Sequence, residues 1–106
     1  EGGVVSLTDV VFENNSVRIA NTPPNAPANA TGGAILNTSL NAFTGTVTLT
    51  DSVLVNNTAT GVSGESQGLG GGVYNASGGT VNLVRTRVVG NVATGSDFGP
   101  AVTVDV

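Results

Sequence analysis

The chain contains no cysteine, histidine, lysine, methionine or tryptophan. Without cysteine there is no disulfide framework and no thiol chemistry. Charge is scarce as well: 9% of the 106 residues, against about 25% in an ordinary globular domain. The only basic residues are Arg18, Arg85 and Arg87. They form no basic patch, which argues against a nucleic-acid partner. No apolar run is long enough to span a membrane. Aromatic residues are limited to Phe12, Phe43, Tyr74 and Phe98, so the core must be narrow and aliphatic. The first residue is Glu1, with no initiator Met and no signal-peptide pattern, as expected of a processed mature chain or an excerpt of a longer one. In place of charge stand Asn, Thr, Ser, Gly and Val. Hydrophobic residues make up 39%, with valine the commonest of them. That content favours packed strands over disorder.

What is present is self-similar. The block Gly32, Gly33, Ala34, Ile35, Leu36, Asn37 recurs as Gly70, Gly71, Gly72, Val73, Tyr74, Asn75, and in altered form as Gly99, Pro100, Ala101, Val102. A second block begins at Val5, Val47 and Val81 and ends at Asn15, Asn57 and Asn91. Within it Leu7, Leu49 and Leu83 are equivalent, as are Phe12, Leu54 and Val88. Period-2 alternation puts Val5 and Leu7 on one face and Ser6 and Thr8 on the other. The spacings are uneven, so loops of different length must enter at fixed places. These loops are residues 18–31, 60–69 and 95–98, with a smaller insertion at 40–45. Proline and glycine keep them out of strands, and the three larger ones should cluster on one edge.

Strands that recur every 30 to 40 residues without helices between them cannot form βαβ units. They can stack coil on coil, each strand pairing with its equivalent about 4.8 Å away. The expected fold is therefore all-β: a right-handed, single-stranded parallel β-helix of about three coils (1–31, 32–69 and 70–106), one domain over residues 1–106. The glycine pairs suit turns where backbone approaches backbone. Asn15, Asn57 and Asn91 should stack as a corner ladder, because Asn tolerates left-handed backbone geometry and can hydrogen-bond to the same amide one rung away.

These blocks resemble the two short repeats of the polymorphic outer-membrane proteins, surface autotransporters of the chlamydial type: GGA(I/L/V) and FxxN. Gly32, Gly33, Ala34 and Ile35 match the first, and Phe12 to Asn15 matches the second. Leu54 to Asn57 and Val88 to Asn91 keep the Asn and replace the Phe. The resemblance implies an extracellular β-helix with adhesive roles.

No terminal cap is evident in the sequence. In register, Glu1 and Val106 both correspond to Ser77, so the chain stops where a further coil would begin. An uncapped solenoid presents unpaired backbone edges. The expected function is therefore an extracellular or cell-surface building block. It would self-associate head to tail into a filament, or form part of a longer solenoid. Gly2, Gly3, Val5 and Leu7 of one copy would meet Ala101, Val102 and Val104 of the next. The alternatives are an adhesin that grips a glycan or protein with its loop edge, and a carbohydrate-active enzyme.

Sites follow from the same register. Asp9, Asp51 and Arg85 share one position. A pair of stacked carboxylates could serve glycoside hydrolysis or bind calcium. The simpler reading is a solvent-facing ladder with one salt bridge, since no His, Lys or third clustered acid accompanies it. No catalytic residue, metal site or cofactor is expected, and the chain is expected not to be an enzyme. The sequons place candidate glycans at Asn14, Asn29, Asn37, Asn56 and Asn75, and the Ser/Thr-rich loops could carry O-glycans. Val11, Val53, Val55 and Val89 should form an outward apolar stripe, either strand filler or a lateral filament contact. The run from Gly68 to Gly72 lacks the Lys-Ser/Thr and helix of a phosphate loop and reads as a turn.

Overall fold

β-Branched runs fold into thirteen short strands among the described residues, with no helix. The computed structural model describes residues 3–19, 28–38, 43–62, 67–75 and 78–94. Counted from β1, so that each glycine block closes a coil instead of opening one as at the expected bounds 31/32 and 69/70, the first coil holds β1 (Val4–Thr8), β2 (Val11–Glu13), β3 (Ser16–Ile19), β4 (Asn29–Thr31) and β5 (Ile35–Asn37). The second holds β6 (Thr46–Thr50), β7 (Val53–Val55), β8 (Thr58–Gly61), β9 (Gln67–Leu69) and β10 (Val73–Asn75). The third contributes β11 (Thr80–Val84), β12 (Arg87–Val89) and β13 (Val92–Thr94).

Every strand pairs in parallel with its equivalent one coil away. The sheets are β1-β6-β11, β2-β7-β12, β3-β8-β13, β4-β9 and β5-β10. The register is the one the alternation calls for. Val5 faces Val47 and Val47 faces Val81; Leu7, Leu49 and Leu83 form the next column. Phe12, Leu54 and Val88 form another. This is a parallel β-helix.

The turns explain the residues between strands. Asp9, Asp51 and Arg85 end the first strand of each coil with φ of 56°, 51° and 46°. Asn14 and Asn56, at φ 56° and 55°, and Gly90, at 65°, end the second. Asp, Asn and Gly enter this left-handed region at least cost; Arg85 does not share that ease. The glycine block makes a third turn. Gly32 and Gly70 have φ of 63° and 66°. Gly33 has no room for a side chain, since a Cβ there would collide with the Gly71 carbonyl and sit 2.7 Å from that of Thr58.

The core is aliphatic and centred on the second coil. Leu49 and Leu54 are fully buried, joined by Val47 and Val88. Leu7, Phe12, Ala34, Ile35, Val73, Val81 and Leu83 pack around them. Burial is uneven along each column: Val47 is 8% exposed, whereas Val5 beside it is 46% exposed. The third glycine block from Gly99, and with it Ala101, Val102 and Val104, lies outside the described residues. So do Gly2 and most of the residues expected as loops; of those described, Asn29–Thr31 and Gln67–Leu69 are a parallel strand pair, which corrects the expectation that these stretches stay out of strands.

Candidate functional site: the asparagine ladders and the first-coil edge

The second turn of each coil positions an asparagine beneath its equivalent. The left-handed φ falls on the preceding residue, Asn14, Asn56 or Gly90, leaving Asn15, Asn57 and Asn91 to point along the stack. Each rung has the same three hydrogen bonds. The Asn15 amide and Nδ2 both donate to Asn57 Oδ1, at 3.0 and 2.9 Å, and Asn57 Nδ2 donates to the Phe12 carbonyl at 3.0 Å. One coil on, the Asn57 amide and Nδ2 donate to Asn91 Oδ1 at 2.9 and 2.8 Å, and Asn91 Nδ2 donates to the Leu54 carbonyl at 2.9 Å. Asn57 is fully buried and Asn91 nearly so. Asn15 is exposed. A buried amide tolerates this environment only because its bonds are made.

A second ladder escaped the sequence reading. Asn37 is 6% exposed, and its Nδ2 donates to Asn75 Oδ1 at 2.7 Å and to the carbonyls of Gly45 and Thr80, both at 3.1 Å. The signal was present, since Asn37 and Asn75 close the two glycine blocks at the same register. This placement corrects the glycosylation candidate at Asn37: its side-chain nitrogen is buried and committed. Asn75 is exposed, with its Nδ2 on the Gly79 carbonyl at 2.9 Å. Asn14, Asn29 and Asn56 are exposed.

A hydroxyl column, also unforeseen, follows the first turn. Val10 N–H donates to Ser52 Oγ at 3.2 Å, and Ser52 N–H to Thr86 Oγ1 at 3.4 Å. Each hydroxyl donates back to the carbonyl two residues earlier, Thr50 or Val84. The first coil has Val10 here and no hydroxyl.

Arg85 lies on Asp51 as a bidentate pair, Nε to Oδ1 at 2.5 Å and Nη2 to Oδ2 at 2.8 Å. The Arg85 hydrogen bond lowers the Asp51 carboxyl below its ordinary value, and the same bond raises Arg85. Both side chains are solvent-exposed, at 40% and 66%, where such pairs contribute little. Among the described residues, no three acidic, His or Cys side chains gather where a metal could bind. Val11 is exposed and Val53, Val55 and Val89 are half-buried on the outer face of β2-β7-β12. No helix among the described residues is long and apolar enough to cross a membrane.

Columns of like residues, parallel register and buried amide ladders define the class: a parallel β-helix repeat protein. Residues 9–38 match the family of the Chlamydia polymorphic membrane protein repeat, so the chain carries a repeat of that type. The matched stretch runs from the Asp9 turn through Phe12 and Asn15 to Gly32, Gly33, Ala34 and Ile35. No curated protein and no solved structure matches the chain.

Proposed function

We propose that this chain is a structural building block of a cell surface, a stretch of β-helix that lengthens by stacking copy on copy. The observation that carries this reading is the state of the first-coil edge. Val5 is 46% exposed in a column whose second-coil member, Val47, is 8% exposed, and Val4 beside it in the strand is 75% exposed. Apolar strand residues beside unpaired backbone groups invite a further parallel strand. The repeat match supports the surface location, because polymorphic membrane proteins are surface proteins. Side chains of Asn15, Asn57, Asn37 and Ser52 each bond one coil to the next.

The test is a concentration series of the purified 106-residue chain by light scattering, with negative-stain imaging of the same samples. Unbranched filaments one β-helix wide are expected, forming above a threshold concentration. A monodisperse 10.4 kDa species at every concentration would remove the stacking reading. Surface exposure also makes Asn14, Asn29, Asn56 and Asn75 the positions where glycans fit, and Asn14 and Asn56 lie at equivalent turns. Intact mass of material from a glycosylating host should exceed that of the bare chain; an equal mass would dispose of the glycans.

A further inference from the structure

The asparagine ladder is directional, and its two ends are complementary. Within every rung the earlier coil gives its backbone N–H and Nδ2 to the next coil's Oδ1. The next coil returns Nδ2 to the carbonyl three residues before the earlier coil's asparagine. At the first coil this leaves Asn15 Oδ1 without a donor among the described residues, and one Nδ2 hydrogen of Asn15 without an acceptor. At the third coil it leaves the Asn91 N–H without an acceptor among the described residues. The Val88 carbonyl, equivalent to those of Phe12 and Leu54, receives no asparagine.

We infer that the first-coil edge is a docking surface for the third coil of a second copy, joined through a rung between Asn91 of one copy and Asn15 of the next. This rests on the stacking reading and specifies its junction. The Asn91 N–H and Nδ2 donate to the neighbour's Asn15 Oδ1, and that Asn15 Nδ2 donates to the Val88 carbonyl. All three bonds repeat the internal rungs without change. Apolar columns continue in step: Phe12 of the neighbour follows Val88, and Leu7 follows Leu83. Two first-coil edges placed face to face would bring neither an Asn91 N–H nor a Val88 carbonyl to Asn15, so the three-bond rung could not form. The ladder therefore selects head-to-tail growth, an open heterologous contact, over a closed twofold dimer.

One column does not continue. The Thr86 N–H of the lower copy meets Val10 of the upper, where Ser52 and Thr86 offer hydroxyls inside the chain. Val10 is thus the weak point of the junction, and it bonds to its own chain through the backbone only.

Two substitutions test this in the light-scattering series. Val10→Ser supplies the missing acceptor without disturbing an internal bond. It should lower the threshold concentration about fivefold, the worth of one net hydrogen bond. Asn15→Leu removes the whole junction rung and should raise the threshold roughly a hundredfold. Its intact third coil can still accept a wild-type first coil, so added in small amount to wild type it should shorten the filaments. Circular dichroism of both variants checks that the monomer is folded. Wild-type filaments indifferent to both substitutions would overturn the ladder junction and leave stacking by another face standing. Absence of wild-type assembly would overturn both.

Discussion

Asn57 and Asn15 occupy the same register in neighbouring coils, yet their situations are opposite. Asn57 is fully buried, and its side chain bonds in both directions along the stack. Asn15 is exposed and bonds in one direction only. The same contrast separates Leu49, fully buried, from Leu7, half-buried. Sequence identity in a column does not fix a residue's contribution; the coils on either side of it do. In a solenoid, stability is close to a sum of neighbour terms, so an edge coil holds about one interface where an inner coil holds two.

The contrast can be broken most severely at the ladder. Asn57→Leu strands the Asn15 N–H, takes the side-chain donor from the Phe12 carbonyl, and leaves Asn91 Oδ1 only the residue-57 backbone N–H. It should cost at least about 3 kcal/mol in urea unfolding at concentrations below assembly, whereas Asn15→Leu should cost about 1 kcal/mol. Equal costs would mean that the rungs do not govern the two sites differently. A smaller gap is expected in the core column. Leu49→Ala should cost about 3 kcal/mol because its cavity is enclosed, and Leu7→Ala about 1 kcal/mol because its site is open to water.

The smallest effect lies outside the stack, at the Asp51–Arg85 pair. The folded-state carboxyl of Asp51 titrates below its ordinary value, chiefly through the Arg85 hydrogen bond. Its contribution to stability is thus present above the unfolded value. It is lost as pH falls through the lower folded value. Asp51→Asn should therefore lower the melting temperature slightly at pH 7, with the difference from wild type closing as pH falls below about pH 4. An unaltered acid limb would show that the pair is electrostatically idle in solution.

The strand register was fully readable, because period-2 alternation shifted by one residue would turn Leu7, Leu49 and Leu83 out of the core. The Phe12, Leu54, Val88 column and the position of the Asn15, Asn57, Asn91 ladder were readable for the same reason. The glycine turns were readable because Gly33 and Gly71 stand at one register. Less legible was what a polar residue does inside the stack. Asn37 fits a glycosylation sequon as well as a ladder, and only the coordinates show its nitrogen shared among Asn75, Gly45 and Thr80. The Ser52 and Thr86 hydroxyls were hidden because the first coil breaks their column with Val10. The left-handed turn was displaced by one residue from the ladder asparagines, since two adjacent polar residues, Asn14-Asn15 and Asn56-Asn57, can each take either role. Gly90-Asn91 was the discriminating pair: glycine marks the turn and asparagine the ladder.

Amide hydrogen exchange at Asn57 tests the stack most directly. Its N–H lies in a fully buried residue, bonded to a side chain one coil away. In unassembled protein it should exchange only through global unfolding, with an opening free energy equal to that from urea. Exchange of Asn57 as fast as that of an exposed turn amide would contradict the stacked ladder on which the account depends.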